Sequence, residues 1–182
     1  MADGSSDIRI PTKLAHFVVR TARHEETVRW YETVLGAHVV SGNPMLSFLT
    51  FDDEHHRIAV VHVPGLPDAP PAAGIDHVAF TMASLGDLLH TYKRLRAAEI
   101  VPYWCINHGP TTSLYYRDPN GVQVELQVDN FADVTALNAW MRSGAFSKNP
   151  IGVEFDPDLL CTRFERGDPV SELIQQGSAP VG

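Results

Sequence analysis

Two histidines and one glutamate stand where they could share a metal ion. His16 lies in Leu14-Ala15-His16-Phe17-Val18-Val19 and His77 in Ile75-Asp76-His77-Val78-Ala79-Phe80. The two runs are one strand-like pattern written twice, with the histidine at the same place. Glu125 is the lone carboxylate of a third run, Val122-Gln123-Val124-Glu125-Leu126-Gln127-Val128. Two imidazoles and a carboxylate form a donor set that zinc, iron and manganese accept. Strand alternation tests whether the three could meet. In the third run the valines and Leu126 share one face, and Gln123, Glu125 and Gln127 share the other. Phe17 and Val19 face opposite to His16; Val78 and Phe80 face opposite to His77. All three candidates therefore lie opposite the main apolar row, on the side that lines a cleft if two such sheets curl together. A single strand histidine is more often a packed or surface residue, and a single strand glutamate a solvated one. The matched repeat favours the metal reading.

Placing His16 on His77 aligns the chain with itself at an offset of 61. Tyr31 then meets Tyr92, and Val39-Val40 meet Ile100-Val101. Strand Leu14 to Arg20 leads to a helix from Glu25 to Leu35, with Val28, Tyr31 and Leu35 on one face and Gly36 placed to end it. Strands follow at 38–40, 45–51 and 57–63. Residues 64–74 hold four prolines and two glycines, a semi-rigid linker. The pattern restarts with strand 75–81 and a helix that Ser84 caps, with Asp87 three residues on. Strands are predicted at 100–103, 113–117 and 122–128, the last two joined by the turn Asp118-Pro119-Asn120-Gly121. The spacing predicts an α+β domain over 1–130, built from βαβββ modules at 12–64 and 75–130. A leader at 1–11 precedes it, and a C-terminal extension follows at 131–182, one helix near Asp133 to Ser143 and then irregular chain.

Bulk properties exclude several classes. The 182 residues suffice for one domain with a real core, and 44% hydrophobic content suits a globular protein. A formal charge of -8 without a long basic run argues against nucleic-acid binding. No apolar stretch approaches the roughly 20 residues of a membrane helix, and Met1 to Asp7 lacks the basic and apolar regions of a signal peptide. Cys105 and Cys161 form no CxxC and read as reduced thiols of a cytoplasmic protein.

The chain resembles the vicinal oxygen chelate superfamily, which includes glyoxalase I, bleomycin-resistance proteins and type I extradiol dioxygenases. The matching pieces are Ala15-His16-Phe17 leading to Trp30-Tyr31-x-x-Val34-Leu35-Gly36, then Asp76-His77-Val78-Ala79-Phe80, and Tyr116-x-Asp118-Pro119-Asn120-Gly121-x-x-x-Glu125-Leu126. The resemblance implies a half-open barrel around a metal held by His16, His77 and Glu125. Three features tilt it toward the dioxygenases. The position in module one that mirrors Glu125 falls near Val60, and no carboxylate sits there. Glyoxalase-like members usually draw a fourth protein ligand from that strand. Second, His55-His56-Arg57-Ile58-Ala59 looks like the His-His-x-hydrophobic-Ala stretch of extradiol dioxygenases. That implies His56 as the acid/base residue toward a catechol, although Asp52-Asp53-Glu54 just before it also fit a solvated, charged turn. Third, His108 and Tyr115 precede Glu125 much as a histidine and a tyrosine do in that family, with a shorter spacing between them. Tyr115 equally fits plain strand packing. Trp104, Phe48 and Phe146 fit an aromatic wall or the core.

By that resemblance the chain is an Fe(II)-dependent enzyme, with Mn(II) as second choice, that cleaves an aromatic diol with O2. Tyr115 would hydrogen-bond the diol, and His108 would stabilise or protonate the oxygen intermediate. A homodimer is implied, since such modules often complete their sheets between chains. The alternatives are a glyoxalase-like lyase or isomerase, an epimerase, and a ligand-sequestering protein of the bleomycin-resistance kind. Members of the last kind often lack the metal triad.

Overall fold

The structure is a computed structural model that describes residues 11–67 and 74–182. Residues 1–10 of the predicted leader and 68–73 of the predicted linker lie outside the described residues. The chain divides into two compact units, 1–67 and 68–182. Among the described residues no helix is long and apolar enough to cross a membrane.

The first unit runs β1 (Phe17–Thr21), α1 (His24–Leu35), β2 (His38–Asn43), β3 (Leu46–Thr50) and β4 (Ile58–His62). Its sheet has the order β1-β4-β3-β2, with β1 and β4 parallel and the other neighbours antiparallel. The helix buries Thr27, Tyr31 and Val34 rather than the predicted stripe of Val28, Tyr31 and Leu35. Val19, Leu49, Ile58 and Val60 are buried with Tyr31 and Val34 as the core of this unit. Gly36 ends α1 as predicted, at φ +65 where a side chain would be strained. On the opposite sheet face Val18, Ala59 and Phe48 stand in register across three strands.

The second unit repeats the plan with β5 (His77–Thr81), α2 (Leu85–Ala97), β6 (Trp104–Asn107), β7 (Thr111–Arg117) and β8 (Gln123–Asp129). Here β5 and β8 are the parallel pair, and the order is β5-β8-β7-β6-β9, where β9 is Val153–Glu154. Ser84 caps α2 as predicted, its Oγ accepting from the Asp87 amide at 3.1 Å. Leu88, Leu89, Tyr92 and Leu95 of the helix are buried together with Leu114, Tyr116, Val124 and Leu126 of the sheet. The α+β reading with two βαβββ modules therefore holds.

Three sequence expectations need correction. Residues 100–103 are not a strand; β6 begins at Trp104. The end of α2 takes up the difference: Ala98, Glu99 and Ile100 all donate back into its last turn, and Glu99 adopts φ +61 without being glycine. The repeat offset consequently grows from 61 to 66. Val18 pairs Ala59 and Ala79 pairs Glu125, so the residue mirroring Glu125 is Ala59, not Val60. One residue matters here, because alternation puts Ala59 and Val60 on opposite faces. Finally, the extension beyond 143 is largely regular. It contains α4 (Ala145–Lys148), β9, α5 (Pro157–Glu165) and α6 (Val170–Leu173), after α3 (Val134–Arg142). α5 packs on α2, where the Tyr92 hydroxyl donates to Asp158 Oδ1 at 2.9 Å. No residue of α3 is buried, so its apolar stripe of Val134, Leu137 and Met141 is not core.

Candidate metal centre

The β7–β8 hairpin does most of the positioning in the second unit. Asp118 Oδ1 accepts the amides of Asn120 (2.8 Å) and Val122 (2.9 Å), and Gly121 sits at φ +84, which fixes the predicted turn. From that turn the register runs Arg117 to Gln123 and Tyr115 to Glu125. Tyr115 therefore projects on the face of Glu125, a point that sequence alternation left open. Glu125 lies opposite Ala79 on β5, two residues from His77 and so on the same face.

His77 Nε2 stands 3.0 Å from Glu125 Oε2, and the Glu125 side chain is only 5% exposed. His77 Nδ1 donates to Asp76 Oδ2 at 2.8 Å. In the neutral ring Nε2 is then a lone pair, and it faces a buried carboxylate oxygen. Two lone pairs at that distance repel unless a cation lies between them, either a proton on the ring or a metal ion. This pair fits a divalent metal, and Asp76 holds the outer nitrogen of His77 in the way a partner of a metal-bound histidine would. Gln123 braces Asp76 in turn, its Nε2 donating to Asp76 O at 2.9 Å and Oδ1 at 3.2 Å. The Tyr103 hydroxyl donates to Gln123 Oε1, and the Arg117 guanidinium lies 4.2 Å from the Tyr103 ring centre.

Tyr115 stacks edge-on against His77, with ring centres 5.3 Å apart, and its hydroxyl lies 3.0 Å from His108 Nε2. Burial raises the Tyr115 phenol well above its ordinary range, and the Glu125 carboxylate adds to this by charge and by a hydrogen bond. The phenol stays protonated at neutral pH and can donate. Trp104 completes the wall, 4.9 Å from the Tyr115 ring and 5.6 Å from that of His108. The short loop between His108 and Tyr115 does not separate them. β6 and β7 pair to Asn107–Thr112, and His108 is the next residue, its amide bonded to Thr111 O at 2.9 Å.

The first unit holds the other candidates. His16 is exposed one residue before β1, and its ring centre lies 4.3 Å from that of His56. His56 also meets Phe48 at 4.7 Å, and its Nδ1 lies 2.8 Å from His55 Nδ1. Partial burial, helped by the His16 and His55 rings and opposed by Glu54, lowers the His56 pKa. The acidic run before it is not a merely solvated turn. Asp52 takes Arg57 Nε at 3.0 Å and the Glu54 amide at 3.1 Å, and Arg57 Nη1 reaches Leu14 O and Ala15 O. Lys13 pairs with Glu54. These links tie the entry to β1, hence His16, to the loop carrying His56.

His77, Glu125, Tyr115 and His108 thus gather in one unit, and His16, His56 and Phe48 in the other. Phe146 stands apart, 6.5 Å from Trp140. Among the described residues neither unit by itself assembles three His, Cys, Asp or Glu side chains into a metal-binding group. Sequence reasoning overlooked Asp76, Tyr103, Gln123 and Arg57. The signal for Asp76 was its place directly before His77; Gln123 lies on a regular strand, Arg57 beside a histidine and Tyr103 in the loop before β6, with nothing local to mark them.

The family model described as the Glyoxalase/Bleomycin resistance protein/Dioxygenase superfamily matches residues 13–126. Biphenyl-2,3-diol 1,2-dioxygenase 2 of Rhodococcus globerulus is 47% identical over 163 residues, 88% of this chain and 86% of that protein. Biphenyl-2,3-diol 1,2-dioxygenase 3 of the same organism is 46% identical over 173 residues, 93% of this chain and 91% of that protein. Among solved structures, lactoylglutathione lyase from Agrobacterium tumefaciens aligns with a TM-score of 0.54 at 19% identity, over 66% of this chain and 96% of its own. A glyoxalase/bleomycin resistance protein/dioxygenase from Alicyclobacillus acidocaldarius gives 0.54 at 18%, over 71% and 99%. These structural likenesses bear on the fold alone.

Proposed function

The chain belongs to the glyoxalase/bleomycin resistance protein/dioxygenase superfamily, and on that premise we propose that it is an extradiol ring-cleavage dioxygenase acting on an aromatic diol with O2. The observation that carries this reading is the His77–Glu125 pair with Tyr115 and His108 aligned on the same sheet face. Ala59 supports it: the mirror position of Glu125 holds a methyl group, so the chain offers two histidines and one carboxylate and no fourth ligand from that strand. The two relatives of nearly half identity are named as biphenyl-2,3-diol dioxygenases, and a two-ring diol suits the aromatic side chains Trp104 and Tyr103, both near Tyr115.

His16, His77 and Glu125 would hold the metal, Fe(II) by preference and Mn(II) as second choice. When bound, that ion supplies charge to orient the diol oxygens and a route for electrons toward dioxygen. His56 accepts a diol proton at Nε2, since its Nδ1 is engaged with His55. The Tyr115 hydroxyl, kept protonated by burial and by Glu125, donates to a diol oxygen. His108 Nε2 exchanges a proton with Tyr115 Oη. Trp104 shields the Tyr115 and His108 rings from water. The protein works as a homodimer in the cytoplasm, a compartment suited to the unpaired thiols of Cys105 and Cys161.

The test is oxygen uptake by iron-loaded protein given biphenyl-2,3-diol and catechol, with and without air. Uptake with a coloured ring-opened product is the expected result. Turnover that persists without oxygen would overturn the reading in favour of a lyase or isomerase.

A further inference from the structure

We propose that residues 149–154 of the C-terminal extension are a positioning part of the site, holding His108 with its proton on Nδ1 and Trp104 against Tyr115. The chemistry of this proposal rests on the ring-cleavage reading; the geometry does not. The matched family region ends at 126, so this segment lies beyond it.

β9 pairs antiparallel to β6, Glu154 opposite Ile106 and Val153 opposite Asn107. Phe155 continues the ladder, its amide donating to Cys105 O at 3.1 Å. This pairing delivers two groups to the site. The carbonyl of Ile151 lies 2.5 Å from His108 Nδ1. The carboxylate of Glu154 accepts from Trp104 Nε1 at 2.8 Å. A peptide carbonyl can only accept, so His108 Nδ1 must carry a hydrogen. A free neutral histidine has no such obligation; here the backbone chooses the tautomer.

The consequence falls on the other nitrogen. With Nδ1 committed, a proton can come and go only at Nε2, 3.0 Å from Tyr115 Oη. When Nε2 is bare, the phenol donates to it. When Nε2 carries a proton, it donates to the phenol oxygen, and the phenol hydrogen turns toward the Glu125 side. The pair passes one proton along a single line, and the strand sets the direction. Trp104, fastened by Glu154, closes the side of that line.

The segment is itself tightly made. Gly152 sits at φ +117, and a Cβ there would meet Asn107 O at 2.4 Å and His108 Cα at 2.8 Å. Asn149 closes the turn through its side chain, donating to Gly152 O at 2.7 Å and accepting from Gly152 N at 3.0 Å. Gly152→Ala therefore pushes the Ile151 carbonyl away from His108, and Asn149→Ala loosens it without a clash.

The experiment uses full-length, metal-free protein with 15N-labelled histidine, the His108 resonances being assigned by their loss in His108→Gln. NMR should show the Nδ1–H tautomer for His108 in the wild type. Both variants should lose that fixed tautomer, and after iron loading their kcat on a catechol should fall on the order of tenfold or more with little change in KM. Asn149→Ala carries the test if Gly152→Ala does not fold. A wild-type His108 in the Nε2–H form overturns the proposal, as does unchanged kcat in a variant that has lost the tautomer. The NMR readout needs neither metal nor oxygen. A protein with the stated tautomer and no ring cleavage would therefore overturn the functional reading alone.

Discussion

Removing the Asp76 carboxylate should weaken metal binding without touching the proposed ligands His16, His77 and Glu125. Asp76 Oδ2 accepts from His77 Nδ1 at 2.8 Å, and Gln123 holds Asp76 from behind. This bond fixes the ring so that Nε2 points to Glu125, 3.0 Å away. Losing the partner that holds a ligand histidine typically costs about 10–100-fold in metal affinity. The Asp76 side chain is 79% exposed, so water competes for the same hydrogen bond and the low end applies. Asp76→Ala should therefore bind Mn(II) about tenfold more weakly than wild type. Asp76→Asn keeps an acceptor and loses the charge, and should fall between the two. Competition against a chromogenic chelator measures both, with His77→Ala as the control that abolishes tight binding. If Asp76→Ala binds as the wild type does while His77→Ala loses the metal, the Asp76–His77 bond does not orient the ring for metal binding.

Other consequences are as concrete. His56→Ala should keep its iron and lose about 100-fold or more in kcat, as loss of an acid/base group does; loss of iron instead would make His56 a ligand. Burial pushes the Cys105 thiol up to about 12 and the Cys161 thiol up to about 11, so at pH 8 neither forms its reactive thiolate. A disulfide reagent should react slowly with the folded protein and rapidly once guanidinium unfolds it; two fast thiols in the native state would contradict this. Leu126, 1% exposed on the helix side of β8, should cost about 2–5 kcal/mol of unfolding free energy when changed to alanine. Denaturant titration reads that loss, with no parallel loss of metal content, since Leu126 faces away from Glu125.

Much of the site was legible because strand period and turn chemistry are local properties. The turn at Asp118 to Gly121 is written in its residues, and a hairpin folded there pairs residues 115 and 125. Likewise alternation in β8 separated Glu125 from Val124 and Leu126. The repeat placed His16 and His77 at matched entries to β1 and β5. Legibility failed where length was set by packing. Nothing between Ala97 and Trp104 announces that Glu99 will take a left-handed turn, and the extra residues there carry the repeat offset from 61 to 66, which is what puts Ala59 at the mirror position of Glu125. It also failed for contacts far apart in sequence. Arg57 reaching Leu14, Asp158 receiving Tyr92, and Ile151 receiving His108 each join segments that only the tertiary fold brings together. Beyond 143 the extension looked irregular because α4 and α6 have four residues each and β9 two, too few for a period to be read; α5 is as long as α3, and its signal was the start Asp156-Pro157, an N-cap followed by a first-turn proline.

The central proposal is cleavage of an aromatic diol ring by dioxygen. Turnover of biphenyl-2,3-diol under 18O2 tests it most directly. The expected result is a ring-opened product carrying both atoms of one dioxygen molecule, formed only with iron-loaded protein and abolished in Glu125→Ala. A product without label, or one formed in the absence of oxygen, would contradict it.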